Sequence, residues 1–333
     1  GPDGLRPGHL RAMIGRNAAE AGARLLSTLT EFLNLVLRGE VPEHSRCVFF
    51  GASLFALAKK DGGTRPIAVG NTLRRLATKV GLKPLSENLG NSLRPVQLGY
   101  ATKGGCEGAA HAARRFLNYA SYKRVLLKID VRNAFNTLRR DAFLTAARCH
   151  VPTMFRLLWQ AYSGPTHLFY GDKLLNSATG IQQGDPCGPA LFSLSIDPMT
   201  RAILSEFNVW YLDDGTVGGD PDTVLEDLQG IVDSFARLGL EVNSEKCELI
   251  VLDHSLRDSK RTIERFRQVL PRIKVVPDPH AFLRGAPLAE AGLQAAIREK
   301  HDSLELLVSR LQAVDNHQAF VLLKNCFAIP KMQ

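Results

Sequence analysis

Apolar positions in the first hundred residues fall at helical and then at strand-like spacing, and the changes mark the elements. Between residues 23 and 38 they recur at Leu25, Leu29, Phe32, Leu33, Val36 and Leu37, which predicts an amphipathic helix. Residues 48–58 form a longer apolar run and read as a strand. It is closed by Lys59-Lys60-Asp61-Gly62-Gly63, whose Asp-Gly-Gly is a strong turn signal. Residues 65–69 then return as the second strand of a hairpin. Residues 71–82 follow as a helix with Arg74, Arg75 and Lys79 on roughly one face. Further on, residues 125–129 (VLLKI) predict a short buried strand with Asp130 at its end, and residues 134–149 a helix. Gly171-Asp172 sits between two strand-like pieces, 167–170 and 173–175. Asp185-Pro186 reads as a helix start, Asp capping and Pro in the first turn, with the helix running to about residue 205. Residues 209–212 form a strand that turns at Asp213-Asp214-Gly215. A helix over 221–238 ends at a C-cap glycine, Gly239, and 247–252 is another strand. From 288 to 300 and from 301 to 315 the periodicity is helical. Strands and helices mix without regular β-α-β alternation, so the expected class is α+β.

Length narrows this further. A chain of 333 residues is too long for one small module and implies two or three packed subdomains. The longest apolar run, 48–58, is too short for a bilayer core, which needs about 20 residues, so no membrane association is expected. Gly1-Pro2-Asp3-Gly4 reads as loop rather than leader, and the chain is expected to be a piece of a longer one. Lys and Arg number 42 against 33 Asp and Glu, a surplus of +9 that suits a polyanionic partner. Six scattered cysteines without a Cys-x-x-Cys pair argue against a zinc site and for a reducing, intracellular compartment.

The candidate chemistry lies in the carboxylates. An Asp-Asp pair alone is a common turn feature. Here the preceding strand is apolar and aromatic (Val209, Trp210, Tyr211, Leu212), so the tip is expected to emerge from a core sheet. If the strand ending in Asp130 lies beside it, three carboxylates converge. Such a cluster stays ionised only with cations among the acids. Hard divalent ions with oxygen ligands fit, magnesium above all, and two of them roughly 3.5–4 Å apart form the clamp of in-line nucleotidyl transfer.

Seven segments in order resemble the reverse transcriptase family, in the style of non-LTR retrotransposon enzymes. They are residues 1–5 (GPDGL), 59–66 (KKDGGTRP), 128–136 (KIDVRNAFN), 180–186 (GIQQGDP), 211–214 (YLDD), 239–246 (GLEVNSEK) and 282–285 (FLRG). The resemblance implies a right-hand polymerase with fingers over 1–120, palm over 121–285 and the start of a helical thumb over 286–333. A fingers-like insertion is expected near 150–178. It implies RNA-directed DNA polymerase activity with two Mg²⁺ ions, Mn²⁺ being the alternative. The implied partners are an RNA template, a DNA or RNA primer and dNTPs, and the implied location is the nucleus. Oligomeric state stays open. By the same resemblance Asp130, Asp213 and Asp214 are the metal ligands, with the main-chain carbonyl of Val131 beside them. Lys59 (or Lys60) and Arg65 meet the triphosphate, and Phe135 underlies the sugar and excludes a 2′-hydroxyl. Gln183 and Gly184 lie against the base or template, and Lys246 is a general acid for pyrophosphate. Arg74, Arg75 and Lys79 are expected to track template phosphates, and Tyr211 to lie at the primer. Leu212 replaces the smaller residue of many relatives, and Cys187-Gly188-Pro189 the usual Ser-Pro. The competing reading is an inactive reverse-transcriptase-like scaffold that binds nucleic acid. A telomerase-like or intron-maturase polymerase is the alternative within the enzymes. An RNA-directed RNA polymerase loses ground because it usually carries Gly-Asp-Asp and a small residue where Phe135 stands.

Overall fold

The computed structural model describes residues 1–15, 18–59, 62–119, 123–252 and 255–327. The alternative triphosphate ligand Lys60, and Asp61 of the same turn, lie outside these residues. The chain opens with three helices, α1 (Pro7–Met13), α2 (Ala19–Leu37) and α3 (Glu43–Phe49). A hairpin follows, β1 (Ala52–Ala58) and β2 (Thr64–Gly70), then α4 (Thr72–Leu82), α5 (Ser86–Leu93) and α6 (Gly105–Tyr119). The centre holds β3 (Arg124–Ile129), α7 (Ala134–Thr137), α8 (Arg140–His150), α9 (Pro152–Tyr162), β4 (Thr166–Tyr170), β5 (Lys173–Ser177) and α10 (Gly188–Arg201). Next come β6 (Phe207–Tyr211), β7 (Asp214–Gly219), α11 (Pro221–Leu238), β8 (Glu248–Leu252), α12 (Leu256–Val269) and β9 (Lys274–Val275). A short hairpin, β10 (Phe282–Leu283) and β11 (Ala286–Pro287), leads to α13 (Glu290–Leu311) and α14 (Asn316–Leu322). The class is α+β.

Two larger sheets organise these elements. One has the order β6-β7-β3-β8-β9, and the other β2-β1-β4-β5. In the second, β4 from the middle of the chain runs parallel to β1, Ala52 opposite Leu168, so residues 166–177 extend the N-terminal hairpin's sheet. β3 lies inside the first sheet and is covered on both faces. Val125, Leu127 and Ile129 enter the main core, while Leu126 joins a smaller cluster with Ala109, Ala113, Phe207, Ile250 and Leu283. Two-sided burial is why β3 reads as a continuous apolar run rather than an alternating one.

Several sequence expectations are corrected. Residues 48–50 do not begin a strand: they end α3, closed by the Gly51 amide on the Val48 carbonyl at 3.0 Å. The expected helix over 134–149 is two, because the chain straightens through Leu138, which is fully buried. Asp185-Pro186 does not start a helix. α10 begins at Gly188 with Pro189 in its first turn, and Asp185 serves a buried ion pair instead. Residues 290–311 form one helix across the expected break at 300–301, where neither Gly nor Pro interrupts.

Candidate active site

Strand register brings the acids together. β3 pairs antiparallel with β7, Ile129 opposite Gly215, and β6 pairs with β7, Tyr211 opposite Asp214. One step beyond Ile129 on the same register, Asp130 stands across from Asp214. The β6–β7 turn consists of Leu212 and Asp213, with Leu212 at φ 57°, a conformation that is strained for a γ-branched residue.

A side chain far off in sequence holds that turn. Gln97, buried to 1% exposure, accepts from the Leu212 amide at 2.7 Å and from the Gly99 amide at 2.9 Å, and donates to the Leu212 carbonyl at 3.2 Å. Gly99 is needed there because a Cβ would meet the Leu212 nitrogen at 2.4 Å. Neither residue is singled out by periodicity. No apolar run precedes them: the segment reads Arg94-Pro95-Val96-Gln97-Leu98-Gly99.

Asp130, Asp213 and Asp214 line a cavity of ≈460 Å³. Of the other sequence candidates, Lys59, Arg65, Val131, Phe135, Gln183, Tyr211 and Lys246 also line it. Gln183 is fixed through its carbonyl, which accepts from the Ala68 amide of β2 at 2.8 Å. Gly184, at φ 131°, is packed so closely that a Cβ would meet the Ala68 oxygen at 2.4 Å, so it joins the hairpin to the cavity wall. The Phe135 ring stacks on Phe192 at 4.9 Å on the cavity floor.

Electrostatics set the state of the acids. Burial, with Asp214 and Asp130 adding to it, pushes the Asp213 carboxyl up from 3.8 to about 6. Asp214 is also raised, chiefly by burial, with Arg284 opposing the shift. Two residues to which the sequence assigned no role contact the acids. Arg284, in the β10–β11 turn, pairs with Asp214 at 2.5 Å, lies over the Tyr211 ring at 4.2 Å and donates to the Tyr211 carbonyl at 2.8 Å. Asn243 donates to the Asp130 carboxylate at 3.0 Å. The three acids do not all bring an oxygen to within 4.8 Å of one another. The cluster that does among the described residues is His301, Asp302 and Glu305, exposed on α13.

The donor set fits a hard divalent cation. It consists of carboxylate oxygens with the buried Oδ1 of Asn243, which has no hydrogen-bond partner, at the same cavity.

The basic helix face is a correction. Arg74 does not face solvent. Its side chain, 3% exposed, pairs with Asp185 at 2.6 Å and donates to Gln182 Oε1 at 2.7 Å and to the Phe50 carbonyl. Its neighbour Arg75 is half-buried and Lys79 exposed, and neither lines the cavity. A helix of 3.6 residues per turn puts positions 74 and 78 on the core side, where Thr78 is indeed buried.

The reverse transcriptase (RNA-dependent DNA polymerase) family model matches residues 57–283, so the chain belongs to that family. Among curated relatives it is 27% identical over 240 residues to the retrotransposable element SLACS 132 kDa protein of Trypanosoma brucei gambiense, covering 68% of this chain and 20% of that protein. It is 26% identical over 274 residues to the retrovirus-related Pol polyprotein from type-2 retrotransposable element R2DM of Drosophila melanogaster, covering 74% of this chain and 24% of that one. The chain thus spans about a fifth to a quarter of these relatives. Solved structures with some likeness include apo telomerase from Candida tropicalis truncated from its C-terminal domain (TM-score 0.43, 15% identity, 60% of this chain and 49% of that). Telomerase from Candida albicans with a fragment of telomeric RNA is another (TM-score 0.44, 13% identity, 63% and 43%). Among the described residues no helix is long and apolar enough to cross a membrane.

Proposed function

We propose that this chain is the polymerising part of a retroelement protein and copies an RNA template into DNA from a DNA or RNA primer and dNTPs. The observation that carries this reading is the register that sets Asp130 across from the Asp213–Asp214 turn, in one cavity with Lys59, Arg65, Phe135 and Gln183. In this reading residues 1–120 are fingers, 121–285 palm and 286–333 the start of a thumb, and the protein acts in the nucleus.

Asp130, Asp213 and Asp214, with the Val131 carbonyl, would hold two Mg²⁺ ions. When bound, these supply charge for the attacking hydroxyl and the departing pyrophosphate. Lys59 and Arg65 bind the triphosphate oxygens, Arg as a planar fork and Lys as a point charge. Gln183 and Gly184 position the base pair against β2. Lys246 delivers a proton to the leaving pyrophosphate. Tyr211, under the Arg284 guanidinium, lies where the primer end would rest.

Primer extension on an RNA template with dNTPs and Mg²⁺ tests the reading, comparing the protein with Asp130→Asn. Product that survives the substitution refutes it. Phe135 floors the cavity beside Asp130, so Phe135→Val is expected to raise use of ribonucleotides relative to deoxynucleotides about tenfold or more. Single-nucleotide incorporation with paired rNTP and dNTP measures this, and an unchanged ratio removes Phe135 as the gate. Arg284 competes with any cation for Asp214. Its pair is part-exposed, worth ~0.2–1 kcal/mol, so Arg284→Met is expected to tighten Mn²⁺ binding up to about fivefold. Calorimetric titration of the nucleic-acid-free protein reads it, and weaker binding would show that the arginine organises the site rather than competing for it.

A further inference from the structure

A second groove lies outside the active-site cavity, and the polymerase mechanism does not use it. Two cavities of ≈570 and ≈480 Å³ share Arg148, Phe155 and Trp159. α9 supplies Phe155, Arg156 and Trp159, α8 supplies Arg148, and the α2–α3 region adds Arg38 and Arg46. The linker is fixed against α9 by Gln160, which both donates to and accepts from the Val41 backbone at 3.2 Å.

Its chemistry is unbalanced. Four guanidinium groups line the first cavity against one carboxylate, Glu40, which Arg38 already holds at 2.8 Å. Arg46 spends its Nε on the Val41 carbonyl. Among the described residues, Arg148 and Arg156 are exposed without a hydrogen bond or ion pair of their own, Arg156 lying in the field of Glu40. Beside them Trp159 is 52% exposed, its ring 5.9 Å from Phe155. Unpaired guanidinium groups beside an open aromatic face are the elements of a single-strand site: phosphates meet the cations and bases stack on the rings.

The groove also leads toward the active site. The second cavity shares Ala178 with a smaller hollow, which in turn shares Pro66, Asn136 and Gln183 with the active-site cavity. We propose that the Arg148–Arg156–Trp159 groove binds single-stranded RNA, the stretch of template not yet copied, as it approaches Gln183. The identity of that RNA as template rests on the polymerase reading; binding itself does not. An acidic protein segment would satisfy the charges but has no use for the open indole or for the path to Gln183.

The two tryptophans make the test specific. Trp210 is fully buried and Trp159 is open, so quenching of tryptophan emission reports this groove. A single-stranded oligoribonucleotide of about 12 nucleotides, within the ~4–16 that single-strand sites take, is titrated into the whole chain. Emission is expected to fall, and the Arg148→Ala/Arg156→Ala variant to bind about tenfold more weakly. Its log affinity against log salt should be shallower by about 0.7 for each phosphate that the variant no longer neutralises. Primer extension separates this proposal from the polymerase reading. The variant should match the parent on a template ending one nucleotide past the primer and raise KM on a template with a long single-stranded overhang. No quenching, or equal binding by the variant, overturns the proposal, as does protection of Trp159 by poly-glutamate but not by RNA. Quenching in a protein that extends no primer would leave the groove an RNA site and remove the template assignment with the polymerase reading.

Discussion

Asp213→Asn is expected to abolish primer extension and, at the same time, to stabilise the cation-free protein at neutral pH. The sign follows from the carboxyl's raised pKa, about 6 in the fold against 3.8 for the free side chain. Between those values the folded protein keeps a proton that the unfolded chain has lost. Stability from this group is therefore complete below about 4 and is lost as pH rises through about 6. At pH 7.5 the native state carries a charge that burial and the neighbouring acids oppose. Asparagine keeps the shape and removes the charge. Melting in EDTA should place the variant above the parent at pH 7.5, and the gap should close toward pH 4. Added Mg²⁺ should stabilise the parent and leave the variant nearly unmoved. Loss of a ligand to charge stabilisation of several kcal/mol means a rate drop of about a thousandfold or more. Equal melting points at pH 7.5 would show that the acid is not confined as described, and surviving extension would take it out of the chemistry.

This opposition between stability and activity also explains Arg284. Without a cation, three acids facing one cavity repel one another, and the fold answers with a guanidinium on Asp214 and an amide on Asp130. The sequence showed the acids but not these partners. Asp130 and the Asp213–Asp214 turn were legible because each follows a short apolar run, and a strand places the next residue at the sheet's edge. Arg284 and Gln97 were not, because their partners lie 73 and 115 positions away and their own neighbourhoods carry no period. α11 is legible to the residue since it has a strong apolar stripe and Gly239, at φ 78°, to end it. α12 is not, because its apolar positions are few and no glycine ends it. Half of its residues are charged, and it touches the core through Phe266, with Ile263 and Val269 beside it. Helix α4 is legible as a helix but its polarity is not, since three basic residues in eight positions look like a solvated face until one of them meets a buried acid.

That buried arginine, Arg74, is expected to carry a large stability effect. Arg74→Met is expected to destabilise the fold by about 3–5 kcal/mol, because it strands the Asp185 carboxylate in the interior. Both side chains are 3% exposed. Asp185 also accepts from the Tyr162 hydroxyl at 2.7 Å and the Cys187 amide at 2.9 Å, and the Arg74 guanidinium lies 5.6 Å from the Phe50 ring centre and 5.8 Å from that of Tyr162. Burial and the adjacent carboxylate hold the Tyr162 hydroxyl well above its ordinary pKa, so it stays protonated as a donor to Asp185. Domains are stable by only ~5–15 kcal/mol, so urea unfolding should show a midpoint moved by a large fraction of its value. The double variant Arg74→Met/Asp185→Leu is the control. It removes both charges and should recover part of the loss, but not all, because the Tyr162 hydroxyl, the Cys187 amide and Gln182 Oε1 lose partners that leucine and methionine cannot replace. The network holds Gln182 and Asp185, which flank Gln183 and Gly184, so primer extension by Arg74→Met, at a temperature where it remains folded, should show a raised KM for dNTP. A single variant as stable as the parent would mean that water reaches Asp185 and that the pair is not the buried support of the 182–184 segment.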